Sequence, residues 1–382
     1  MAKKNDGYLS AKESRRISKE NRKITDALEK KRKRKNVPES EYLTEMRDPN
    51  NAVEFDGLKT YFFTDVGVAK AVDGISFDVP IGKTVGVVGE SGCGKSVTSL
   101  SLMQLLQRPQ GQVVEGAIRL NLGDKAYDVT KAPNEVMQKL RGNYVSMIFQ
   151  EPMTALNPVF RIGEQVNEVI ALHDGEGKSQ EEIKARTIHL LEMVGIANSE
   201  GVYQMFPHEL SGGMRQRVMI AMALSCNPKL LICDEPTTAL DVTIQAQILD
   251  LINELKEKLG TSVMMITHDL GVIAEVADDV MVMYAGKVVE YGSADDIFES
   301  PKHPYTVGLM NCIPKLTDED HTHLAVIKGM VPSFDQMPKG CAFCPRCAEA
   351  RDICRERMPE LTEVDGQKVR CFKYSKEWED AR

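Results

Sequence analysis

Eight consecutive residues, Gly89-Glu-Ser-Gly-Cys-Gly-Lys95-Ser96, combine glycines, a lysine and a hydroxyl in the pattern of a phosphate-binding loop. Its glycines allow backbone N–H groups to curl around the α- and β-phosphates of a nucleotide, while Lys95 can reach the β- and γ-phosphates. The Ser96 hydroxyl can ligate Mg²⁺. We therefore predict a nucleotide site whose binding residues include Gly89, Glu90, Ser91, Gly92, Cys93, Gly94, Lys95, Ser96 and the following Val97.

Three further motifs follow the loop in the chain, and together they make a chance match remote. They are Leu210-Ser211-Gly212-Gly213-Met214-Arg215-Gln216-Arg217, then Leu230-Leu-Ile-Cys-Asp234-Glu235, then His268. In this order they resemble the ATP-binding cassette (ABC) family, from about Ala52 to about Pro304. A narrower resemblance, to the ATP-binding subunits of bacterial oligopeptide and dipeptide importers, is carried by GESGCGKSVTSLSLMQLL, FQEPMTALNPV, CDEPTTALDVTIQAQIL, SPKHPYT and the C-terminal cysteines.

The resemblance implies an α/β fold, the ABC-type P-loop nucleotide-binding domain. Such a domain has a mostly parallel core sheet, an antiparallel β-subdomain and a helical subdomain, here followed by a small Cys-rich C-terminal extension. It also implies an ATPase that converts ATP and water to ADP and phosphate. By residue, the resemblance implies that Asp234 holds Mg²⁺ directly or through water, together with Ser96 and Gln150. Glu235 would be the general base, His268 would contact the γ-phosphate, and Gln150 and Lys95 would complete the catalytic group.

The same resemblance gives the Ser211-Gly212-Gly213 segment a different role. It would complete the nucleotide site of a second cassette that faces it head to tail, and Asp241 would lie at the same interface. The functional unit would then be a dimer of cassettes with two nucleotides between them. An aromatic residue that stacks on adenine is expected upstream of the phosphate loop, and strand alternation does not choose among Tyr61, Phe62 and Phe63.

Strands and helices must position these residues. Thr84–Val88 is a short apolar run that ends directly in the phosphate loop, and a helical pattern starts at Ser96. Continuous apolar runs of this length suit a parallel sheet that is covered on both faces, and further runs occur at 144–149, 230–233, 263–266 and 280–283. We predict a basic arm, helical or disordered, over 1–50, the ATP-binding domain over 51–304 with its helical subdomain at about 150–226, and an importer-type extension over 305–382.

Composition sets limits on the rest. The chain has 382 residues and a net charge of −8, which argues against a nucleic-acid binder. Residues 1–50 alone carry a net charge of +6, so the remainder carries −14.

The first 50 residues show two local patterns. Ser10 and Glu13 have the spacing of a capping box, and the basic run Lys30–Lys35 indicates either a solvated arm or attraction to an anionic membrane surface. No apolar run is long enough to span a bilayer, so we expect a peripheral position on the cytoplasmic side of the cell membrane, through partners.

Five of the nine cysteines cluster near the C-terminus. Thiolates this close together in a reducing compartment usually hold zinc or an iron–sulfur cluster. The family resemblance implies a [4Fe-4S] cluster on Cys341, Cys347, Cys354 and Cys371, and in that pattern a histidine commonly stands where this chain has Cys344. Cys344 could therefore compete as a ligand, and zinc or an unmetallated group of thiols remain alternatives.

The function implied is that of an ATPase subunit of a peptide importer. Its expected partners are a second, non-identical ATPase subunit, two transmembrane permease subunits and an extracytoplasmic peptide-binding protein. The Val97-Thr98-Ser99 and Thr237-Thr238-Ala239 segments resemble the first of the two ATPase subunits of these importers. Two alternatives are a related nickel or glycan importer and a non-transport ABC ATPase, but the latter usually has two cassettes or long coiled-coil insertions.

Overall fold

Two β-sheets form the framework of the chain in our computed structural model, which describes residues 10–150, 155–238, 240–312, 326–334 and 336–380. One sheet has the strand order β1-β6-β5-β2-β3, and the other has the order β12-β13-β11-β10-β4-β9-β8-β7. The strands are β1 (Leu43–Thr44), β2 (Asn51–Phe63), β3 (Val68–Pro80), β4 (Thr84–Val88), β5 (Gly111–Asn121), β6 (Ala126–Asp128), β7 (Val145–Ile148), β8 (Leu230–Asp234), β9 (Ser262–Ile266), β10 (Asp279–Tyr284), β11 (Lys287–Ser293), β12 (Thr362–Val364) and β13 (Gln367–Val369).

Helices pack around these sheets and also form a layer of their own between β7 and β8. Within the described ranges, none of them has the length and apolar character needed to cross a bilayer. They are α1 (Ala11–Arg32), α2 (Lys95–Leu102), α3 (Asn134–Leu140), α4 (Ile162–Asp174), α5 (Gln180–Met193), α6 (Ser199–Gln204), α7 (Gly212–Leu224), α8 (Val242–Leu259), α9 (Leu270–Val276), α10 (Ala294–Glu299), α11 (Pro304–Asn311), α12 (Asp352–Glu356) and α13 (Glu377–Asp380).

The centre of the larger sheet consists of five parallel strands in the order β10-β4-β9-β8-β7. Strands β4, β7, β8 and β9 are buried along their whole length. Their continuous apolar runs fit a sheet with both faces covered, which confirms the predicted strands to within one residue at each end. Because parallel strands have their carboxyl ends at the same edge, the residues that follow β4, β7, β8 and β9 meet there.

The described residues between β7 and β8 are mainly helical, in line with the helical pattern of this part of the sequence. Helices α4 and α5 are separated by a break at 175–179, and Ser179 caps α5 through a capping box with Glu182. Buried apolar residues of α4, α5 and α7 belong to the same core as strands β7 to β9. The helical layer is therefore packed against the part of the sheet that holds the candidate site.

Helix α1 is docked on the smaller, five-stranded sheet, in which all neighbouring strands pair antiparallel. It begins with the predicted capping box of Ser10 and Glu13. The Asn21 side chain is buried and its Nδ2 donates to the carbonyl oxygen of Thr64 at 2.7 Å, while Arg108 donates to Glu29 at 2.8 Å. Because these contacts are made by polar side chains, the helix has no apolar periodicity that would indicate in the sequence that it is docked.

The C-terminal segment extends the larger sheet. Strands β12 and β13 form a hairpin, and β13 pairs with β11 through Glu290 and Val369. Phe343 lies in the same core as the parallel strands. The sequence predicts a small Cys-rich extension over 305–382, and the described part of it shares both a sheet and a core with the nucleotide-binding part.

Candidate nucleotide-binding site

The phosphate loop lies between β4 and α2, in the strand–loop–helix order that its motif requires. Gly89 and Gly94 have φ angles of +148° and +108°. A Cβ at Gly89 would lie 2.2 Å from the carbonyl oxygen of Met283, and one at Gly94 would lie 2.4 Å from that of Ala71. Only glycine fits at either position, so the loop can be this tight.

Lys95 is the first residue of α2 and its side chain is almost fully buried. Its Nζ donates to the carbonyl oxygens of Gly89 at 2.7 Å and of Glu90 at 3.3 Å. The ammonium group therefore closes the loop on itself. These two carbonyl contacts are the ones that phosphate oxygens would replace when a nucleotide enters the loop.

Ser96 and Asp234 meet at the edge of the sheet. The Ser96 hydroxyl donates to Asp234 Oδ1 at 2.9 Å, and Asp234 is the last residue of β8. Burial raises the pKa of Asp234, and the Ser96 hydrogen bond and the nearby Lys95 ammonium oppose that rise. A hydroxyl and a carboxylate side by side are ligands that suit Mg²⁺, and a cation there would favour the ionised carboxylate.

The Glu235 carboxylate is the meeting point of three other side chains. Gln150 Nε2 donates to Glu235 Oε2 at 2.8 Å, Thr238 Oγ1 donates to the same oxygen at 3.0 Å, and His268 Nδ1 lies 3.3 Å from Oε1. Glu235 has a φ angle of +49°, a conformation that is costly for a residue with a side chain. A carboxylate held this firmly beside the Ser96–Asp234 pair can accept a proton from a water molecule.

The structure thus places Gln150 and His268, two of the predicted catalytic residues, against Glu235, whereas Lys95 contacts carbonyl oxygens of the phosphate loop. It adds Thr238, which is not among the predicted site residues. The signal for Thr238 was slight: it is a hydroxyl three residues after Glu235, in the turn that follows β8. The His268 side chain is 59% exposed, compared with 15% for Glu235. The site is therefore open to solvent beside His268.

The Ser211-Gly212-Gly213 segment forms a second, separate group. Ser211 caps α7 by accepting from the Met214 N–H at 3.3 Å, and Asp241 caps α8 by accepting from the Ile244 N–H at 3.0 Å. A Cβ on Gly213 would lie 3.0 Å from Ile244 Cγ2, so the two helix starts are packed together. Ser211, Gly212 and Asp241 are all exposed. Helix N-termini of this kind attract anions.

The three aromatic candidates for adenine stacking differ in exposure. Phe63 is buried and belongs to the core. Tyr61 and Phe62 are half-buried, and the Tyr61 hydroxyl donates to Asp73 Oδ1 at 2.6 Å. Of the three, Tyr61 and Phe62 keep part of the ring accessible.

All five clustered cysteines line one cavity, beside Phe343, Phe372 and Trp378; they are Cys341, Cys344, Cys347, Cys354 and Cys371. Burial raises the pKa of Cys341 to about 12 and of Cys371 to about 11, and neighbouring thiols add to both shifts. Across the described ranges, however, no three His, Cys, Asp or Glu side chains are placed so that they could hold a metal ion. The donor chemistry fits a metal, but the thiols do not converge on one point.

Two residues of the C-terminal part contact the phosphate loop, and neither was predicted as a site residue. The Tyr305 hydroxyl accepts from the Glu90 N–H at 2.9 Å, and Arg346 Nη1 donates to Glu90 Oε2 at 2.6 Å. Such contacts between residues more than 200 positions apart leave no local pattern in the sequence. They show that the loop is held from outside the cassette motifs.

Comparison with known proteins agrees with this geometry. The ABC transporter family profile matches residues 72–238, and the profile for the oligopeptide/dipeptide transporter C-terminal region matches 289–354. The chain is 53% identical over 326 residues to the oligopeptide transport ATP-binding protein AppD of Bacillus subtilis, covering 85% of this chain and 97% of AppD. It is 46% identical over 335 residues to OppD of Salmonella typhimurium, covering 87% and 97%.

Solved structures share the fold of the cassette part. The dimeric post-hydrolysis structure of the ATP-binding cassette MJ0796, bound to ADP and phosphate, is 25% identical with a TM-score of 0.56, and the match covers 63% of this chain and 98% of that one. CbiO1 of Clostridium perfringens, part of the ABC transporter complex CbiONQ, is 25% identical with a TM-score of 0.54 and coverages of 66% and 92%. The described chain has the ABC ATPase cassette fold with mixed α/β sheets.

Proposed function

This chain belongs to the ABC transporter family, among the oligopeptide transport ATP-binding proteins, and from that premise we propose that it hydrolyses ATP to energise uptake of oligopeptides or dipeptides. The observation that carries the proposal is the Glu235 carboxylate. It is held by Gln150, Thr238 and His268 beside the Ser96–Asp234 pair. The relatives of this chain, AppD and OppD, are named as oligopeptide transport ATP-binding proteins.

In the proposed reaction the chain supplies position and charge, which account for most catalysis of phosphoryl transfer. The loop from Gly89 to Ser96 holds the phosphates. Ser96, Asp234 and Gln150 would hold Mg²⁺, directly or through water, and the ion would neutralise negative charge on the phosphates. Glu235 accepts the proton of the attacking water, and His268 reaches the γ-phosphate.

The open face beside His268 supports a dimer. The exposed start of α7 at Ser211 and the neighbouring Asp241 would cover the nucleotide of an opposing cassette, and the MJ0796 cassette of the same fold is a dimer. We propose that the opposing cassette belongs to a second, non-identical ATPase subunit. Two permease subunits, contacted through the helical layer within 150–226, would hold the pair at the cytoplasmic face of the membrane, and an extracytoplasmic binding protein would select the peptide.

The test is an ATPase assay on the complex that co-purifies with this chain. We expect permease subunits and a second ATPase to co-purify, and we expect phosphate release to rise when binding protein and a peptide are both added. Binding protein without peptide is the control. The proposal would be refuted if adding peptide did not raise the rate of phosphate release, or if this chain hydrolysed no ATP in the complex.

We further propose that the C-terminal extension, 305–382, holds a [4Fe-4S] cluster on Cys341, Cys347, Cys354 and Cys371, with zinc as the alternative. The shared cavity and the rise in the pKa of Cys341 and Cys371 support it. The thiols would have to converge further, since no described trio is placed to hold a metal. A bound cluster would stabilise the deprotonated thiolates and fix this segment in place. Nothing in the described site requires it to transfer electrons.

Replacing Cys354 with serine is expected to remove iron and the visible absorbance of the purified chain, because a cluster of this type needs four thiolates. Iron content and the absorption spectrum of anaerobically purified protein are the measurements. Cys344→Ser and the distant Cys226→Ser are the matched controls, and both should retain iron. Zinc in place of iron in the wild-type protein would overturn the assignment.

A further inference from the structure

Arg346 connects the cysteine segment to the phosphate loop. It lies between Cys344 and Cys347, and both terminal nitrogens of its guanidinium group donate hydrogen bonds to the Glu90 carboxylate. Nη1 donates to Oε2 at 2.6 Å and Nη2 donates to Oε1 at 3.0 Å. The Arg346 side chain is only 3% exposed, compared with 32% for Glu90. A two-pronged, charge-assisted pair of this kind is strong and fixes direction.

The C-terminal segment fixes Arg346 from its other side. Arg346 Nε donates to the carbonyl oxygen of Lys328 at 3.1 Å, and Nη2 also donates to that of Ile327 at 3.2 Å. The guanidinium carbon lies 5.8 Å from the ring centre of Tyr284 and 6.0 Å from that of Phe343. Because hydrogen bonds to the C-terminal segment hold the guanidinium, Arg346 restrains the Glu90 carboxylate against movement of the loop.

Glu90 is held at its backbone as well. Its N–H donates to the hydroxyl of the fully buried Tyr305 at 2.9 Å, and its carbonyl oxygen accepts from Lys95 Nζ at 3.3 Å. Lys95 must leave that carbonyl to reach a phosphate. The Arg346 and Tyr305 contacts can remain when it does, so they are the ones that preserve the shape of the loop.

We propose that Arg346 is a positioning residue for ATP binding: by holding Glu90 it sets the conformation of the phosphate loop before the nucleotide arrives. The inference rests on the proposed function of this loop as the ATP site. Arg346 touches no phosphate in this scheme. It raises affinity by removing the cost of ordering the loop on binding. Coupling of this kind is reciprocal, so bound ATP also protects the segment that carries Arg346.

The experiment is a titration of the purified full-length chain with a fluorescent ATP analogue and Mg²⁺. We expect Arg346→Met, which keeps the length of the stem but removes the donors, and Glu90→Ala each to weaken binding about tenfold. The double variant should bind the analogue no more weakly than whichever single variant binds it less tightly, because both substitutions break the same Arg346–Glu90 ion pair. Arg346→Lys should recover part of the affinity. Arg355→Met, at an arginine whose side chain is 66% exposed in the same segment, should bind like wild type.

The outcomes separate this inference from the proposed function. Failure of the wild-type chain to bind the analogue would refute the ATP site itself. Wild-type affinity in folded Arg346→Met, with only a lower melting temperature, would refute the positioning role, as would losses that add in the double variant. If Arg346→Met does not fold, Glu90→Ala decides alone: unchanged affinity overturns the inference, and a tenfold loss with an unchanged circular dichroism spectrum supports it.

Discussion

Glu235→Gln is expected to abolish ATP turnover while leaving ATP binding intact. Glutamine keeps the shape and can still accept hydrogen bonds from Gln150 and Thr238, but its amide cannot take a proton from water. A positioned general base contributes roughly 10²–10⁴-fold to a rate, so turnover should fall by at least that factor. In the proposed cassette dimer, ATP binding would close the pair and hydrolysis would reopen it, so we expect the variant to accumulate in a closed, ATP-bound state.

Phosphate release from the assembled transporter measures the first effect, and cross-linking or size-exclusion chromatography with ATP measures the second. Glu257→Gln is the matched control, because Glu257 is an exposed carboxylate on α8. Near-normal turnover in Glu235→Gln would contradict the general-base role. The nearest alternative is then His268, whose imidazole lies 3.3 Å from the same carboxylate.

The parts of the site that the sequence predicted well are those that depend on neighbouring residues. The phosphate loop needs only Gly89 and Gly94 at fixed positions between an apolar strand and a helix, and the structure has that order. Asp234 and His268 come just after short apolar runs, a pattern that is typical of buried parallel strands. Parallel alignment then brings the ends of these strands together. The roles of Asp234 and His268 in one site, however, were implied by the resemblance to the ABC family and not by the local pattern.

Contacts between distant parts of the chain could not be predicted in this way. Strands β12 and β13 are three residues each and largely polar, and they exist because they add to the edge formed by β11. Arg346 and Glu90 are 256 positions apart, and nothing in the Cys-Pro-Arg-Cys spacing indicates a partner. Helix α1 likewise depends on a buried amide, Asn21, that reaches a backbone carbonyl. In each case polar groups find partners that only the folded chain supplies.

The cysteine cluster shows a different limit. Spacing identified which donors gather, and all five do line one cavity. Convergence on a single point is a matter of rotamers and loop geometry, which spacing does not determine. The same segment also carries Arg346, so ordering by a bound metal would bear directly on the Glu90 carboxylate.

Lys95→Ala is expected to abolish both ATP binding and turnover. The Lys95 ammonium is buried and its two acceptors are loop carbonyls, Gly89 O at 2.7 Å and Glu90 O at 3.3 Å. Moving from these neutral acceptors to a phosphate anion replaces hydrogen bonds in which only the donor is charged with hydrogen bonds in which donor and acceptor carry opposite charges. Removal of such a charge from a desolvated pair costs roughly 2–5 kcal/mol, which weakens binding by at least about thirtyfold.

Titration with a fluorescent ATP analogue and phosphate release together distinguish this effect from that of Glu235→Gln, which should lower only the second. Lys83→Ala is the control, since Lys83 immediately precedes strand β4 and its side chain is 51% exposed.

Because Arg346 and Tyr305 hold Glu90 independently of Lys95, the loop should keep its shape in Lys95→Ala and the melting temperature without nucleotide should change little. A large drop in that temperature would mean that the lysine holds the empty loop together, and the binding loss would then be a folding effect. An unchanged melting temperature together with a loss of affinity would show that the Lys95 ammonium acts by binding the phosphates.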